Sequence, residues 1–230
     1  MRMQIIRFKS MLILFFAVLT LSSGQENNKQ NPDPLRFKNE IDAFIQWDAK
    51  NSYPPDAVLF AGSSSIRMWR THQAFPQYPV INRGFGGSVT ADLIYFYEDV
   101  IKKYHARVIV LYVGDNDIAV GKSIDAVIID YKKLVALIKK DNPNCKLIYL
   151  PIKPSISRWT LWRKMNEVNK RIKEFNESDD NLFYLDTATP MIGDKGTPQR
   201  DLFIEDGLHL NAEGYALWNS LLEPLLKKCY

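Results

Sequence analysis

The chain has 230 residues, 46% hydrophobic and 24% charged, with a formal net charge of +4. That is enough chain for one domain with a full core, and its composition is neither repetitive nor biased enough for a fibrous or wholly disordered protein. Arg2, Arg7 and Lys9 supply three of the positive charges, and without residues 1–24 the balance is only +1. No Lys/Arg cluster interleaved with aromatics remains, which argues against a nucleic-acid partner.

Residues 1–24 carry a basic start, an uninterrupted apolar stretch from Met11 to Leu19, and then Ser22, Ser23 and Gly24. Basic, apolar and small-residue segments in this order are the three parts of a secretory signal peptide, and the apolar part is too short for a transmembrane anchor. The expected product is therefore exported, periplasmic or secreted, with no stable membrane anchor. Residues 25–34 are polar, contain two prolines and read as a flexible leader, and residues 35–230 form a single domain. Cys145 and Cys229 are far apart in sequence and give no disulfide framework, so the thiols are expected to be unpaired.

Phe37, Ile41, Phe44 and Ile45 have helical spacing, and that helix should end before Pro54-Pro55. Short apolar runs follow at 57–61, 80–82, 108–113, 147–150 and 182–185. Their hydrophobicity is continuous rather than alternating, as in parallel strands covered on both faces. Between them, Leu93, Tyr97, Val100, Ile101 and Tyr104 predict one helix. Ile124 through Ile138 predict a second, and Met165, Val168, Ile172 and Phe175 a third. A last helix should be capped by Asn211, with Pro224 bending it or ending its regular part. The alternation predicts an α/β fold, a five-stranded parallel sheet sandwiched by helices, whose ligands bind at the C-terminal edge of the strands.

The polar motifs fall at that edge. The first strand ends in Gly62-Ser63-Ser64-Ser65, a tight turn that can expose Ser64 as a nucleophile, while Ser63 and Ser65 read better as helix caps. The turn lacks G-x-S-x-G, which disfavours an α/β-hydrolase elbow. The second strand ends in a glycine-rich turn where the Gly87 N–H can approach an oxyanion. A phosphate cradle is the competing reading, although Rossmann spacing and a P-loop lysine are both missing. The third ends in Gly114-Asp115-Asn116-Asp117. Its carboxylates suggest metal ligation at first sight, but no further ligands complete a set, and Asn116 serves better as an amide donor to an oxyanion, worth about 3 kcal/mol of barrier. An Asx-rich turn is the plainer alternative. After the fourth strand, Lys153, Ser155, Arg158 and Trp159 either line a substrate site or form a polar loop with one packed tryptophan.

Asp206-Gly207-Leu208-His209 completes the set. A carboxylate three residues before an imidazole can hold it in the tautomer of a general base, and His72 and His105 lie outside every motif. Together the four blocks, spanning Val58 to His209, resemble the SGNH (GDSL-like) hydrolase family, of lipase/acylhydrolase type. The resemblance implies the flavodoxin-like SGNH fold and a serine esterase, needing no metal or organic cofactor, that cleaves a small acyl ester of a carbohydrate or lipid, a small-molecule or glycan substrate, through an acyl-enzyme, and the pattern of residues 1–24 adds export. It implies Ser64 as nucleophile, Ser64, Gly87 and Asn116 as the oxyanion hole, His209 as base and Asp206 as its orienting carboxylate. One departure stands out: the family's first block has Asp before the serine, where this chain has Ser63. The alternatives are a catalytically silent glycan- or lipid-binding module on the same fold, and an acyltransferase using the same residues.

Overall fold

The computed structural model describes residues 31–230, so the signal-peptide segment and most of the leader lie outside the described residues. Five parallel strands form one sheet in the order β2-β1-β3-β4-β5: β1 Val58–Gly62, β2 Val80–Gly84, β3 Val108–Tyr112, β4 Lys146–Tyr149 and β5 Leu182–Tyr184. Each lies within two residues of its predicted run.

The continuous apolar runs are explained by what covers the sheet. Along β1, Leu59 and Ala61 face one core and Val58 and Phe60 the other, and β3 divides the same way. On the first side the strands meet α1 (Lys38–Lys50), α4 (Thr90–Tyr95), α5 (Tyr97–Val100), α7 (Ile124–Asp141) and α8 (Trp162–Asn176). On the second they meet α9 (Ala212–Cys229) and the short α2 (Ser64–Arg67) and α3 (Thr71–Ala74), with Trp69, Phe75 and Trp218 buried between. Short α6 (Asp115–Ala119) follows β3. Among the described residues no helix is long and apolar enough to cross a membrane. Cys145 and Cys229 are both buried and unpaired.

One helix expectation needs correction, and of the two outcomes expected at Pro224 one is excluded. The single helix expected through Leu93–Tyr104 is broken at Phe96 and Ile101 into α4, α5 and a 3-10 turn at Lys102–Tyr104. Tertiary contacts outweigh helical continuity here: the bends set Phe96 edge-on to Phe85 and let the Tyr97 hydroxyl donate to the Leu137 carbonyl at 3.0 Å. Pro224 does not end α9, which continues to Cys229. The proline removes one backbone donor, while buried Leu222, Leu226 and Cys229 keep the last turns seated on the sheet.

β1 ends in a close approach that only glycine allows. Gly62 has φ +139°, and a Cβ there would lie 1.9 Å from the Tyr112 carbonyl oxygen. This closeness lets the Ser63 N–H donate to Tyr112 O at 3.1 Å and aims the next residue out of the sheet edge. Gly62→Ala should therefore destabilise the fold by about 3 kcal/mol or more, combining backbone strain with an overpacked contact. Urea unfolding measures this, and an unchanged midpoint would show that the edge can shift to admit a methyl group.

Candidate active site

Strand order sets where a crevice can open. From β1 the chain crosses to β2 on one side and then to β3 on the other, so the loops leaving β1 and β3 diverge, and this switch point is where open α/β sheets bind ligands. Ser64 leaves β1 there as the first residue of α2, and Asn116 leaves β3 within α6. The β2 turn joins them: Phe85 N–H donates to Gly62 O at 3.0 Å, and Asn116 Nδ2 donates to Ser88 O at 3.0 Å. Gly87, at φ +81°, is next to Ser88, and open space lies where its Cβ would be. The N–H groups of Ser64 and Gly87 have no acceptor among the described residues.

His209 arrives from the far end of the chain on a braced turn. Phe203 and Leu210 form an antiparallel bridge, Ile204 N–H donates to His209 O at 3.0 Å, and the Asn211 side chain caps α9 by accepting from Gly214 N–H at 3.0 Å. Within the turn, Asp206 Oδ1 accepts the N–H groups of Leu208 at 2.8 Å and His209 at 2.9 Å. Its other oxygen lies 2.6 Å from His209 Nδ1, and His209 Nε2 lies 2.9 Å from Ser64 Oγ. Partial burial raises the Asp206 carboxyl, but the bonds from the His209 ring and from the two N–H groups outweigh this and hold it down at about 2. An ionised Asp206 can only accept, so Nδ1 carries the proton and Nε2 offers its lone pair to the serine hydroxyl. His72 and His105 are exposed and outside this cluster.

Several neighbouring residues differ from expectation. Neither Ser63 nor Ser65 caps a helix through its side chain. Ser63 Oγ is buried without a partner at the position where the family has Asp, and Ser65 Oγ accepts from Lys153 Nζ at 3.0 Å. Lys153 cannot line a substrate site, because it is buried beneath the Ser64 turn, where it also donates to the Tyr112 hydroxyl at 3.1 Å. Burial pushes its ammonium group down, and Asp115 and Asp206 only partly pull it back. Ser155 is buried as well. Asp117 is unavailable to a metal, since it accepts from Thr90 N–H and Oγ1 and from Lys122 Nζ.

Trp159 is half-buried and, with Ile156, Thr197, Pro198 and Arg200, lines an open, mainly apolar hollow of about 370 Å³. The hollow flanks the histidine turn: Ser157 N–H donates to Gly207 O at 3.1 Å, and the Gly207 backbone packs against Ile156. Two contacts had no sequence signal. Arg158 reaches Asp115 and Asn116, and the Tyr215 hydroxyl donates to Ser65 O at 2.9 Å. Both join residues distant in sequence that only the packed strand ends bring together.

With serine, histidine and carboxylate in line at a parallel sheet edge, the family comparison becomes specific. The model of the GDSL-like lipase/acylhydrolase family matches residues 51–217. The chain belongs to this family. Its fold is that of SGNH hydrolases, and solved structures agree. A Streptococcus pneumonia protein aligns at 18% identity and TM-score 0.75 over 85% of this chain and 94% of its own. A GDSL-like lipase from Bacteroides thetaiotaomicron aligns at 20% identity and TM-score 0.73, over 83% and 98%. A variant of an acetyl-xylooligosaccharide esterase from Geobacillus aligns at 16% identity and TM-score 0.61, over 74% and 93%. No curated protein sequence matches this one.

Proposed function

We propose that this GDSL-family chain is an exported serine esterase that removes a small acyl group from a carbohydrate or other polar alcohol through an acyl-enzyme. The observation that carries the reading is the line from Asp206 through His209 to Ser64, at 2.6 and 2.9 Å. As Ser64 Oγ attacks the ester carbonyl, His209 Nε2 takes its proton, and Asp206 steadies the imidazolium that results. The N–H groups of Ser64 and Gly87 and the Asn116 amide receive the oxyanion. His209 then returns the proton to the leaving alcohol, and water, activated by the same base, releases the acid. The hollow beside the histidine turn, with its flat Trp159 side chain, would take the alcohol portion. An acetylated-sugar substrate agrees with the esterase named among the structural relatives. Export rests on the pattern of residues 1–24.

A short-chain nitrophenyl ester and a fluorophosphonate probe test the mechanism. The expected result is ester turnover, and covalent labelling that maps to the peptide holding Ser64 and is lost in Ser64→Ala. Labelling elsewhere, or equal turnover by both proteins, would overturn it, and an inert wild type would favour the silent binding module. A panel of acetylated sugars against long-chain acyl esters tests the substrate class. Suppression of acid release by added alcohol, with a new ester formed, would identify an acyltransferase.

A further inference from the structure

We infer that Arg158 is a positioning residue that fixes which way the Asn116 amide faces. This rests on the proposed role of Asn116 in the oxyanion hole.

A side-chain amide can turn over about its last bond with little change in shape, exchanging two donors for an acceptor. Asn116 is buried and held at both ends. Its Nδ2 donates one hydrogen to Ser88 O at 3.0 Å, and its Oδ1 accepts from Arg158 Nη2 at 3.0 Å. If the amide were reversed, its oxygen would face the Ser88 carbonyl and its NH2 group the guanidinium, so both contacts would become repulsive. In the orientation held, the second Nδ2 hydrogen has no acceptor among the described residues and is left for an oxyanion.

The guanidinium is held as firmly as the amide. Its Nη1 donates to Asp115 Oδ2 at 3.1 Å, and the other oxygen of that carboxylate accepts the Asn116 N–H at 2.9 Å. Asp115 Oδ2 also lies 3.8 Å from Lys153 Nζ, the buried ammonium under the nucleophile's turn. One planar fork thus spans two consecutive residues, one nitrogen to each, which a single ammonium cannot reproduce. The Arg158 side chain is only 20% exposed and is directed at the protein, so its work is on Asn116 and not on an alcohol in the hollow.

The test is a double-mutant cycle on a nitrophenyl ester, using wild type, Arg158→Met, Asn116→Ala and the double variant, with kcat and KM measured separately. Arg158→Met should lower kcat about 30-fold and move KM by less than about twofold, because a donor is misaimed and no substrate contact is lost. In the Asn116→Ala background, removing Arg158 should cost less than about threefold, and Arg158→Lys should recover only part of the wild-type rate. Equal losses in the two backgrounds, or a raised KM at unchanged kcat, would overturn the assignment and make Arg158 a substrate contact. If thermal unfolding shows that Arg158→Met is not folded, Arg158→Lys takes its place in the cycle. An unchanged kcat in Asn116→Ala would instead remove the oxyanion role of Asn116 itself, an outcome distinct from additivity between two impaired variants.

Discussion

Ser64→Ala should lower kcat for a short-chain ester by about 10⁶-fold, and His209→Ala by nearly as much, while the double variant should be hardly slower than either alone. The reason is the 2.9 Å contact between Ser64 Oγ and His209 Nε2. A neutral hydroxyl is a poor nucleophile without a base, and the base has nothing to activate without the hydroxyl, so either deletion removes the same event. Residual hydrolysis should come from the oxyanion donors and substrate binding, which both deletions leave in place. Steady-state rates at high enzyme concentration measure this. A double variant slower by the product of the single losses would mean that the two residues act in separate steps.

Asp206→Asn should be milder, at about 10⁴-fold, and the loss should come from the wrong tautomer rather than a lost position. In wild type, Asp206 Oδ1 is fully engaged by the N–H groups of Leu208 and His209. In the variant the amide oxygen would be drawn to those same donors, which turns the NH2 group toward Nδ1 and moves the ring proton to Nε2, where it faces Ser64 as a donor. Activity below that of His209→Ala would reverse the assigned division of labour. The pH dependence has a definite sign. With its folded value at about 2, below the usual carboxylate value of 3.8, Asp206 contributes its stabilisation above about pH 4 and loses it as pH falls through about 2. Any fall of kcat/KM between pH 5 and 8 should therefore not originate in Asp206. A wild-type acid limb tracking that carboxyl near pH 2, with no loss above it, would contradict the imidazole as base.

The fold and the triad were legible because their signals are local. Apolar runs such as Val108–Val113 are buried on both faces, and Asp206 reaches His209 within one turn. The rule that parallel strands end on one edge then placed Ser64, Gly87 and Asn116 together, while His209, in a late loop, was joined to them only by the family resemblance. What the sequence concealed depends on packing at distance. Nothing near Lys153 marks it as buried, since its partners are distant in sequence, Ser65 in α2 and Tyr112 at the end of β3. The Arg158 contacts span more than forty residues and exist only because the loop after β4 folds across the end of β3. The break at Phe96 was hidden for the same reason: its cause, the Phe85 and Leu137 contacts, lies outside the segment that bends.

The loop from Ile156 to Trp159 carries two duties on adjacent positions. Ile156 and Trp159 wall the hollow, while Arg158 between them points inward to Asn116. If the hollow takes the substrate's alcohol portion and Arg158 orients Asn116, as proposed, substrate choice and rate fall within one short stretch yet remain separable. A library that randomises 156 and 159 together with Thr197 and Pro198, and keeps Arg158, can retune which esters are accepted without disturbing the reacting groups. Wholesale replacement of the loop would forfeit turnover for every ester alike.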